Sequence, residues 1–228
     1  PVGELLNIDF ARPAAAARVI GENADIVLGV KVRMSENVIG SHGLEALQRA
    51  ISACEMSGTK AKVMCHIGGV QDGKLLPAAL EAKKRGVIFD VGHGGGSFDF
   101  TVARAAIDQG CPPDVISSDI HVFSANSPGI PYLPNVMAKF VSLGFSLEEV
   151  VTMATANPAK VIDRIEGLGT LQVGAPADAT IVDLVSGPVQ WVDTRKNTLA
   201  GDLQIKPVST VSAGVAFGRP YQAPFAVR

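Results

Sequence analysis

Four side chains that can bind a metal ion or move a proton follow one another along the chain: Lys31, His66, His93 and Asp119. Each lies at or near the end of a predicted buried strand, and in parallel α/β proteins the carboxyl ends of the strands form the ligand-binding face. Neutral imidazoles suit zinc or a similar divalent ion, and an aspartate can bind the ion and also accept a proton. Burial in an apolar strand pushes a lysine toward its neutral amine. Because a neutral amine can take up carbon dioxide to give an anionic carbamate, Lys31 is a candidate ligand as well.

Each of these four residues also has an ordinary structural explanation. His93 precedes three glycines and can be a turn residue, and His66 can be a hydrogen-bonded core histidine. Lys31 can extend to solvent from a strand end, and Asp119 can cap the loop after its strand. Because four such roles in this order and spacing would be a rare coincidence, we favour a shared metal site over the structural alternative.

Three neighbouring positions are candidates for substrate binding. Arg33 follows Lys31 by two residues on the same face of a strand, and it can hold a substrate carboxylate or form a surface ion pair. His121 shares the face of Asp119 if the strand extends that far, and it can support a ligand or face the substrate. Gly94 can offer a backbone donor to a substrate oxygen, although a tight turn is the simpler role for this glycine.

The elements that position these residues alternate along the chain. The four candidate ligands are separated by 35, 27 and 26 residues, and a strand–helix–strand unit takes about 30. Strands are predicted at residues 24–32, 62–67, 87–91 and 115–120, and helices at residues 13–20, 44–56, 77–85 and 98–109. Residues 97–100 are the one candidate for a further strand between His93 and Asp119. The alternation predicts a parallel α/β architecture, for which a barrel is the natural closed form.

The pattern changes toward the end of the chain. A loop at residues 124–134, rich in Ser, Asn, Gly and Pro, is suited to cover a site. Two helices follow, the first with a capping box from Ser146 and Glu149, the second with Asn157 as N-cap and Pro158 in its first turn. Short β-like runs then occupy residues 179–184, 189–192 and 208–216. We therefore expect a barrel portion over residues 1–166, which carries the metal site, and a small β domain over residues 167–228.

Composition narrows the function classes. The 228 residues are 47% hydrophobic and 18% charged, with a net charge of −2, so the basic excess typical of a nucleic-acid-binding protein is missing. No apolar run has the length of a membrane helix. Three scattered cysteines fit a reducing compartment better than a disulfide framework. We expect a cytoplasmic protein that binds a small-molecule substrate, not nucleic acid or a membrane.

The motifs around the candidate ligands resemble a known family. They read Gly29-Val30-Lys31-Val32-Arg33, Met64-Cys65-His66, Val91-Gly92-His93-Gly94 and Ser117-Ser118-Asp119-Ile120-His121, with supporting runs at residues 155–159 and 169–178. This set resembles the C-terminal part of the amidohydrolase superfamily of metal-dependent hydrolases, in its dihydroorotase-like and deacetylase-like branch.

The resemblance implies a fold and a reaction. The fold would be a partial TIM-like (β/α)₈ barrel, strands four to eight, followed by a small β-sandwich segment. One or two divalent ions, usually zinc, would be held with Lys31 as the carboxylated bridge, His66 and His93 on one ion and Asp119 on the other. Metal-bound hydroxide would attack an amide, cyclic amide or acetyl ester carbonyl, while Asp119 would shuttle the proton to the leaving group.

The chain also departs from that family. Its four histidines, His42, His66, His93 and His121, include no His-x-His pair, and the first three barrel strands are absent. We consider a partial sequence, a fragment completed by another chain and a degenerate protein, and we favour the first. The competing function is a non-catalytic amidohydrolase-like assembly or binding protein. We expect a homo-oligomer or completion by an N-terminal half, since half a barrel leaves strand edges to be covered. A phosphate-binding α/β protein ranks lower, because the chain lacks a P-loop lysine and a dinucleotide fingerprint.

Overall fold

The computed structural model describes residues 4–67 and 77–218. The chain divides into two compact units, Pro1–Gly69 and Val70–Arg228, and each unit has its own sheets and its own apolar core. The division expected at residues 166 and 167 therefore falls inside the second unit. That division remains a prediction about how the second unit is organised.

The first unit alternates helices and strands. Its helices are α1 (Pro13–Glu22), α2 (Glu36–Ile39) and α3 (Glu45–Met56), and its strands are β1 (Gly29–Arg33) and β2 (Lys62–His66). Short 3₁₀ turns occupy Ile8–Phe10 and Gly40–His42. Helix α1 begins at Pro13. The fixed φ of proline suits a helix, and its missing N–H costs nothing because the N–H groups of the first turn have no acceptor within the helix.

Strands β1 and β2 are parallel neighbours, paired from Gly29 with Lys62 to Arg33 with His66. A side chain at Gly29 would collide with the Lys62 carbonyl, so glycine is required where β1 begins. This strand starts later than the predicted residue 24, because the backbone N–H groups of Ile26 and Val27 donate to the Asn23 carbonyl in a turn after α1.

One face of this strand pair is covered by helices. Val32 is buried against residues of α2 and α3 in a cluster, and Val30 and Val63 pack against the same cluster. Because side chains alternate across a strand, the odd-numbered residues of β1 and their partners on β2 lie on the opposite face. The core members are Val32, Val38, Ile39, Ala46 and Ala50.

The second unit contains the remaining elements. The helices are α4 (Pro77–Lys84), α5 (Phe100–Asp108), α6 (Leu133–Ser142), α7 (Leu147–Ala154) and α8 (Ala156–Ile162). The strands are β3 (Asp90–Gly92), β4 (Val115–Ser117), β5 (Ala179–Val192), β6 (Thr198–Ser212) and β7 (Val215–Gly218). The expected α/β class is confirmed: two parallel strand pairs alternate with helices, and an antiparallel sheet follows.

Strands β3 and β4 pair directly, in parallel, from Asp90 with Val115 to Gly92 with Ser117. The strand considered at residues 97–100 is therefore wrong. Asp99 instead caps α5, accepting the backbone N–H groups of Thr101 and Val102, and the flanking Phe98 and Phe100 are buried in the core. The described parts of the chain thus hold four parallel strands, where the sequence suggested five.

Three helices, not two, occupy the region between the loop at residues 124–134 and β5. The capping box of Ser146 and Glu149 is confirmed at the start of α7. The N-cap assigned to Asn157 is wrong, because α8 begins at Ala156 and the Asn157 side chain donates to the Asp114 carbonyl at 2.8 Å. The core of this unit comprises Phe98, Phe100, Ile116, Val136, Phe140, Leu143, Val150 and Met153.

The antiparallel sheet has the order β5-β6-β7. Two of the predicted β-like runs merge into the single strand β5, because an irregularity between Ser186 and Val189 accommodates Gly187 and Pro188 without ending the pairing with β6. Helix α6 packs on β6. Among the described residues this part of the chain forms one sheet.

None of the helices within residues 4–67 and 77–218 combines the length and the apolar character that crossing a membrane requires.

Candidate active site

In the first unit, Lys31, Arg33 and His66 lie on the same face of the β1–β2 pair. Lys31 is level with Met64 and Arg33 is level with His66, so His66 is lateral to Arg33 and diagonal to Lys31. This is the face opposite the helix-covered Val32. The predicted sharing of a strand face by Lys31 and Arg33 agrees with this pairing, and the roles of all three residues stay predictions.

The expected burial of Lys31 is wrong. Lys31 is exposed, because β1 buries its Val32 face against the helices and leaves the Lys31 face uncovered. Arg33 is different: its Nε is buried and has no hydrogen-bond partner among the described residues, and its Nη1 lies 4.0 Å from Glu4 Oε2. A buried N–H donor of this kind is suited to bind an anionic acceptor group.

In the second unit, Asp119 and Gly94 lie against each other. The ladder between β3 and β4 continues past the strand ends, since the N–H of His93 donates to the Ser117 carbonyl at 3.3 Å and that of Gly94 to the Ser118 carbonyl at 3.0 Å. Asp119 has a φ of 44°. A Cβ built on Gly94 would lie 2.7 Å from Asp119 Oδ2. Glycine at position 94 therefore makes room for the carboxylate.

Asp90 is a neighbour of Asp119 that sequence reasoning missed. Its carboxylate accepts the Ser117 hydroxyl at 2.8 Å. Asp90 is an exposed residue, but partial burial of its carboxyl group raises its pKa. The Ser117 hydrogen bond opposes this rise, and the charge of Asp119 adds to it. The signal was a lone charge within the apolar run at residues 87–91, two residues before Gly92.

His93 is fully buried, at 0% exposure. Its Nδ1 lies 2.8 Å from the Gly94 carbonyl and its Nε2 lies 2.7 Å from Lys139 Nζ. The ring stacks on Phe98 with centroids 4.8 Å apart. Burial, and then the Lys139 charge, lower the pKa of His93 to about 4. The imidazole is therefore neutral at pH 7.

Lys139, on α6, is the second residue that sequence reasoning missed. It is 1% exposed, and besides His93 it donates to the Gly129 carbonyl and, at 2.9 Å, to the Val192 carbonyl. Burial lowers its pKa to about 8, although the charge of Asp193 opposes this. The available signal was a single charge inside the apolar run at residues 136–141.

Asp193 completes this buried group of charges. It is 0% exposed and accepts the backbone N–H groups of Phe100, Arg195 and Asn197 at 2.8–2.9 Å, together with the Asn197 side chain. Burial alone would raise its pKa, but these hydrogen bonds outweigh that effect and lower it. Asp193 thereby joins the turn between β5 and β6 to the start of α5.

His121 lies on the loop after β4. Its N–H donates to Ser124 Oγ at 2.8 Å, and its Nδ1 accepts the Phe123 N–H at 3.3 Å. Strand β4 ends at Ser117, so the condition that the strand extends to His121 is not met, and strand alternation gives no argument that His121 shares the face of Asp119. Its suggested contact with substrate stays a prediction.

The donor types fit a divalent ion in part. Neither unit, within its described residues, contains by itself a group of three or more His, Cys, Asp and Glu side chains arranged to hold a metal. His66 and Asp119 are ordinary ligands for such an ion, and Lys31 is one if carboxylated. His93 does not fit in its present orientation, because its Nε2 faces the Lys139 ammonium.

Comparison with known proteins adds to this geometry. The model of the amidohydrolase family matches residues 96–216, which is 121 of the 228 residues and more than half of the chain. A deacetylase of Enterococcus faecalis is 28% identical over 92% of this chain and 65% of its own length. The deacetylase Atu3266 of Agrobacterium fabrum is 32% identical over 76% of this chain and 49% of its own length.

Two solved structures are similar over most of the chain. An adenine deaminase superposes with a TM-score of 0.87 at 27% identity, covering 96% of this chain and 67% of that protein. A dihydroorotase superposes with a TM-score of 0.79 at 28% identity, covering 92% and 62%. The chain spans 49% to 65% of the length of the two deacetylases.

Proposed function

Because this chain belongs to the amidohydrolase family, we propose that the protein containing it is a metal-dependent hydrolase of an amide, cyclic amide or acetyl ester bond. The predicted family, with its deacetylase-like and dihydroorotase-like relatives, is confirmed. Beyond the family, we propose the reaction, a partial (β/α)₈ barrel followed by a β-sandwich segment, and either a homo-oligomer or a chain completed by an N-terminal half.

The observation that carries this proposal is the position of Asp119. Its carboxylate lies at the carboxyl end of β4 beside Gly94, in a chain whose family consists of hydrolases that generally use divalent metal ions. The carboxyl ends of parallel strands are where such folds bind ligands. This position supports the proposed role of Asp119, which is to take a proton from the attacking water and pass it to the leaving nitrogen or oxygen.

The other residues have proposed roles in binding. Carboxylated Lys31, His66, His93 and Asp119 would hold one or two zinc ions, with His93 able to do so only after leaving Lys139. A bound divalent ion would supply Lewis acidity toward the carbonyl of the substrate. Arg33, with its buried Nε lacking a partner among the described residues, would hold a substrate carboxylate, and the Gly94 backbone and His121 would contact the substrate.

Asp119→Asn in the full-length protein tests the reaction. Candidate substrates are acetylated amines and esters and dihydroorotate, from the names of the similar proteins. Loss of a general base typically costs a factor of about 10² to 10⁴, so we expect turnover to fall at least about 100-fold when wild type and variant are compared at equal zinc content. Asp163→Asn is the matched control, since it removes the same charge at another residue of positive φ, 50°.

Full turnover of Asp119→Asn with its metal retained would contradict the proton-transfer role. The second candidate function is a non-catalytic binding protein, favoured by the hydrogen bond that engages His93 Nε2. It would be supported if the full-length wild type binds no divalent metal and turns over none of these substrates.

A further inference from the structure

We propose that Lys139 competes with metal for His93: its ammonium occupies the Nε2 lone pair, so the imidazole becomes a ligand only when this hydrogen bond breaks. The inference rests on the proposed metal-dependent function for the existence of the ion. Lys139 is thus a positioning residue that controls whether His93 Nε2 is free to bind a metal ion.

The tautomer of His93 follows from its two hydrogen bonds. A carbonyl oxygen only accepts, so Nδ1, 2.8 Å from the Gly94 carbonyl, carries the proton and donates it. Nε2 of the neutral ring is then unprotonated and accepts from Lys139 Nζ at 2.7 Å. An imidazole nitrogen has one lone pair in the ring plane, and that lone pair cannot bind an ammonium proton and a metal ion together.

Lys139 is held in place from three sides. An ammonium has three N–H donors, and those of Lys139 have three acceptors: His93 Nε2, the Gly129 carbonyl and the Val192 carbonyl. The last two acceptors lie on the loop before α6 and at the end of β5. Because the residue is 1% exposed, its ammonium has no solvent to move into without a change in these elements.

The imidazole is equally enclosed. Phe98 stacks on one side of the ring, and the backbone of Gly129 is so close that a Cβ there would lie 2.7 Å from His93 Cε1. The ring therefore cannot turn Nε2 away from Lys139 without movement of the loop that contains Gly129. On its other edge, His93 donates to Gly94, the residue against which Asp119 lies.

The competition predicts that removing the ammonium tightens metal binding. In Lys139→Met, Nε2 loses its charged donor, and a hydrogen bond of this kind is strong enough that we expect zinc affinity of the full-length protein to rise about tenfold or more. Lys139→Gln is the second variant, because its amide can still donate to Gly129 and Val192 if the methionine variant folds poorly. Zinc affinity is measured by calorimetry on metal-free protein.

Residue-specific NMR gives a second readout that does not depend on activity. With ¹⁵N-labelled histidine, the Nε2 resonance of His93 should report an unprotonated nitrogen in metal-free wild type, and it should shift only at zinc concentrations about tenfold or more above those that the Lys139 variants require. In the Lys139 variants the same resonance should shift strongly with zinc. The double variant His93→Gln, Lys139→Gln should lose the gain in affinity.

Two results would overturn the inference: folded Lys139 variants that bind zinc no more tightly than wild type, or a wild-type His93 Nε2 that carries the proton. Turnover measured on the same samples separates this inference from the proposed function. If wild type turns over substrate but the Lys139 variants bind zinc no more tightly than wild type, the competition is refuted and the hydrolase function stands. If the Lys139 variants bind zinc more tightly but no sample turns over substrate, the competition is supported and the hydrolase function is refuted.

Discussion

Replacing His93 by glutamine should remove a large part of the acid sensitivity of the second unit. The fully buried imidazole has a pKa of about 4, against an ordinary value of 6.5. Between these two values the unfolded chain binds a proton that the folded chain does not, so acidification favours unfolding. The free energy of unfolding should therefore fall as the pH decreases from 6.5 to 4, and this contribution should level off below 4.

The size of the effect follows from the pKa difference. The two values differ by 2.5, and one pKa unit corresponds to about 1.4 kcal/mol, so the full contribution of His93 to the loss of stability is roughly 3–4 kcal/mol, of which about 3 kcal/mol is reached by pH 4. Typical domains have about 5–15 kcal/mol in total. Lys139, with a pKa of about 8, stays charged throughout this range and adds little slope of its own.

Urea unfolding at pH 7, 6, 5 and 4, with a chelator present, measures this contribution. Trp191 is the only tryptophan of the chain and packs against the core of the second unit, so its fluorescence reports the unfolding of this unit. The quantity of interest is the difference in unfolding free energy between wild type and His93→Gln at each pH. His121→Gln serves as the control, since it removes an exposed imidazole of the same unit.

The unfolding free energy of wild type should exceed that of His93→Gln by about 3 kcal/mol less at pH 4 than at pH 7. A constant difference across this range would refute it, whatever the absolute stabilities of the two proteins. A wild-type protein that becomes more stable relative to the variant on acidification would show that the sign itself is wrong.

Two further substitutions test the packing around the site. Gly94→Ala should lower turnover at least about tenfold, since misplacing a catalytic group is costly and the new Cβ would meet Asp119 Oδ2. Gly110→Ala, also at positive φ but with open space around it, should keep turnover, and equal activity of the two variants would contradict the argument. Asp193→Ala should destabilise the second unit by about 3–5 kcal/mol because it removes the carboxylate from a buried group of charges; a loss below about 1 kcal/mol in Trp191-monitored unfolding would count against this role.

The sequence predicted most helices and strands, but it did not predict that β3 and β4 pair directly with no strand between them. Strand β2, helix α3 and the capping box of α7 follow from local patterns, and the structure has them within a residue or two of the expected bounds. The supposed strand at residues 97–100 failed because Asp99 is a helix cap and its two phenylalanine neighbours are core residues. A short apolar run does not distinguish a strand from a helix start, and only the long-range packing of α5 decides between them.

The candidate site was predictable to the extent that it depends on strand alternation. Lys31 and Arg33 share a face because they alternate with Val30 and Val32, which pack in the apolar cluster, and the parallel pairing brings His66 level with Arg33; the alternation is visible in the sequence. The environment of His93 was not predictable, because its partner Lys139 comes 46 residues later on a helix that the sequence did not locate. Asp90 carried a readable signal, a charge within an apolar strand, and was overlooked in favour of the histidine that follows.

Turnover of the full-length protein with and without its metal decides whether the protein is a metal-dependent hydrolase. The protein is stripped with a chelator, assayed on acetylated amines and esters and on dihydroorotate, then reconstituted with zinc and assayed again. We expect hydrolysis of at least one of these substrates, lost when the metal is stripped and restored when zinc is added. Hydrolysis that is equally fast in the stripped protein, or none in the reconstituted one, would contradict it.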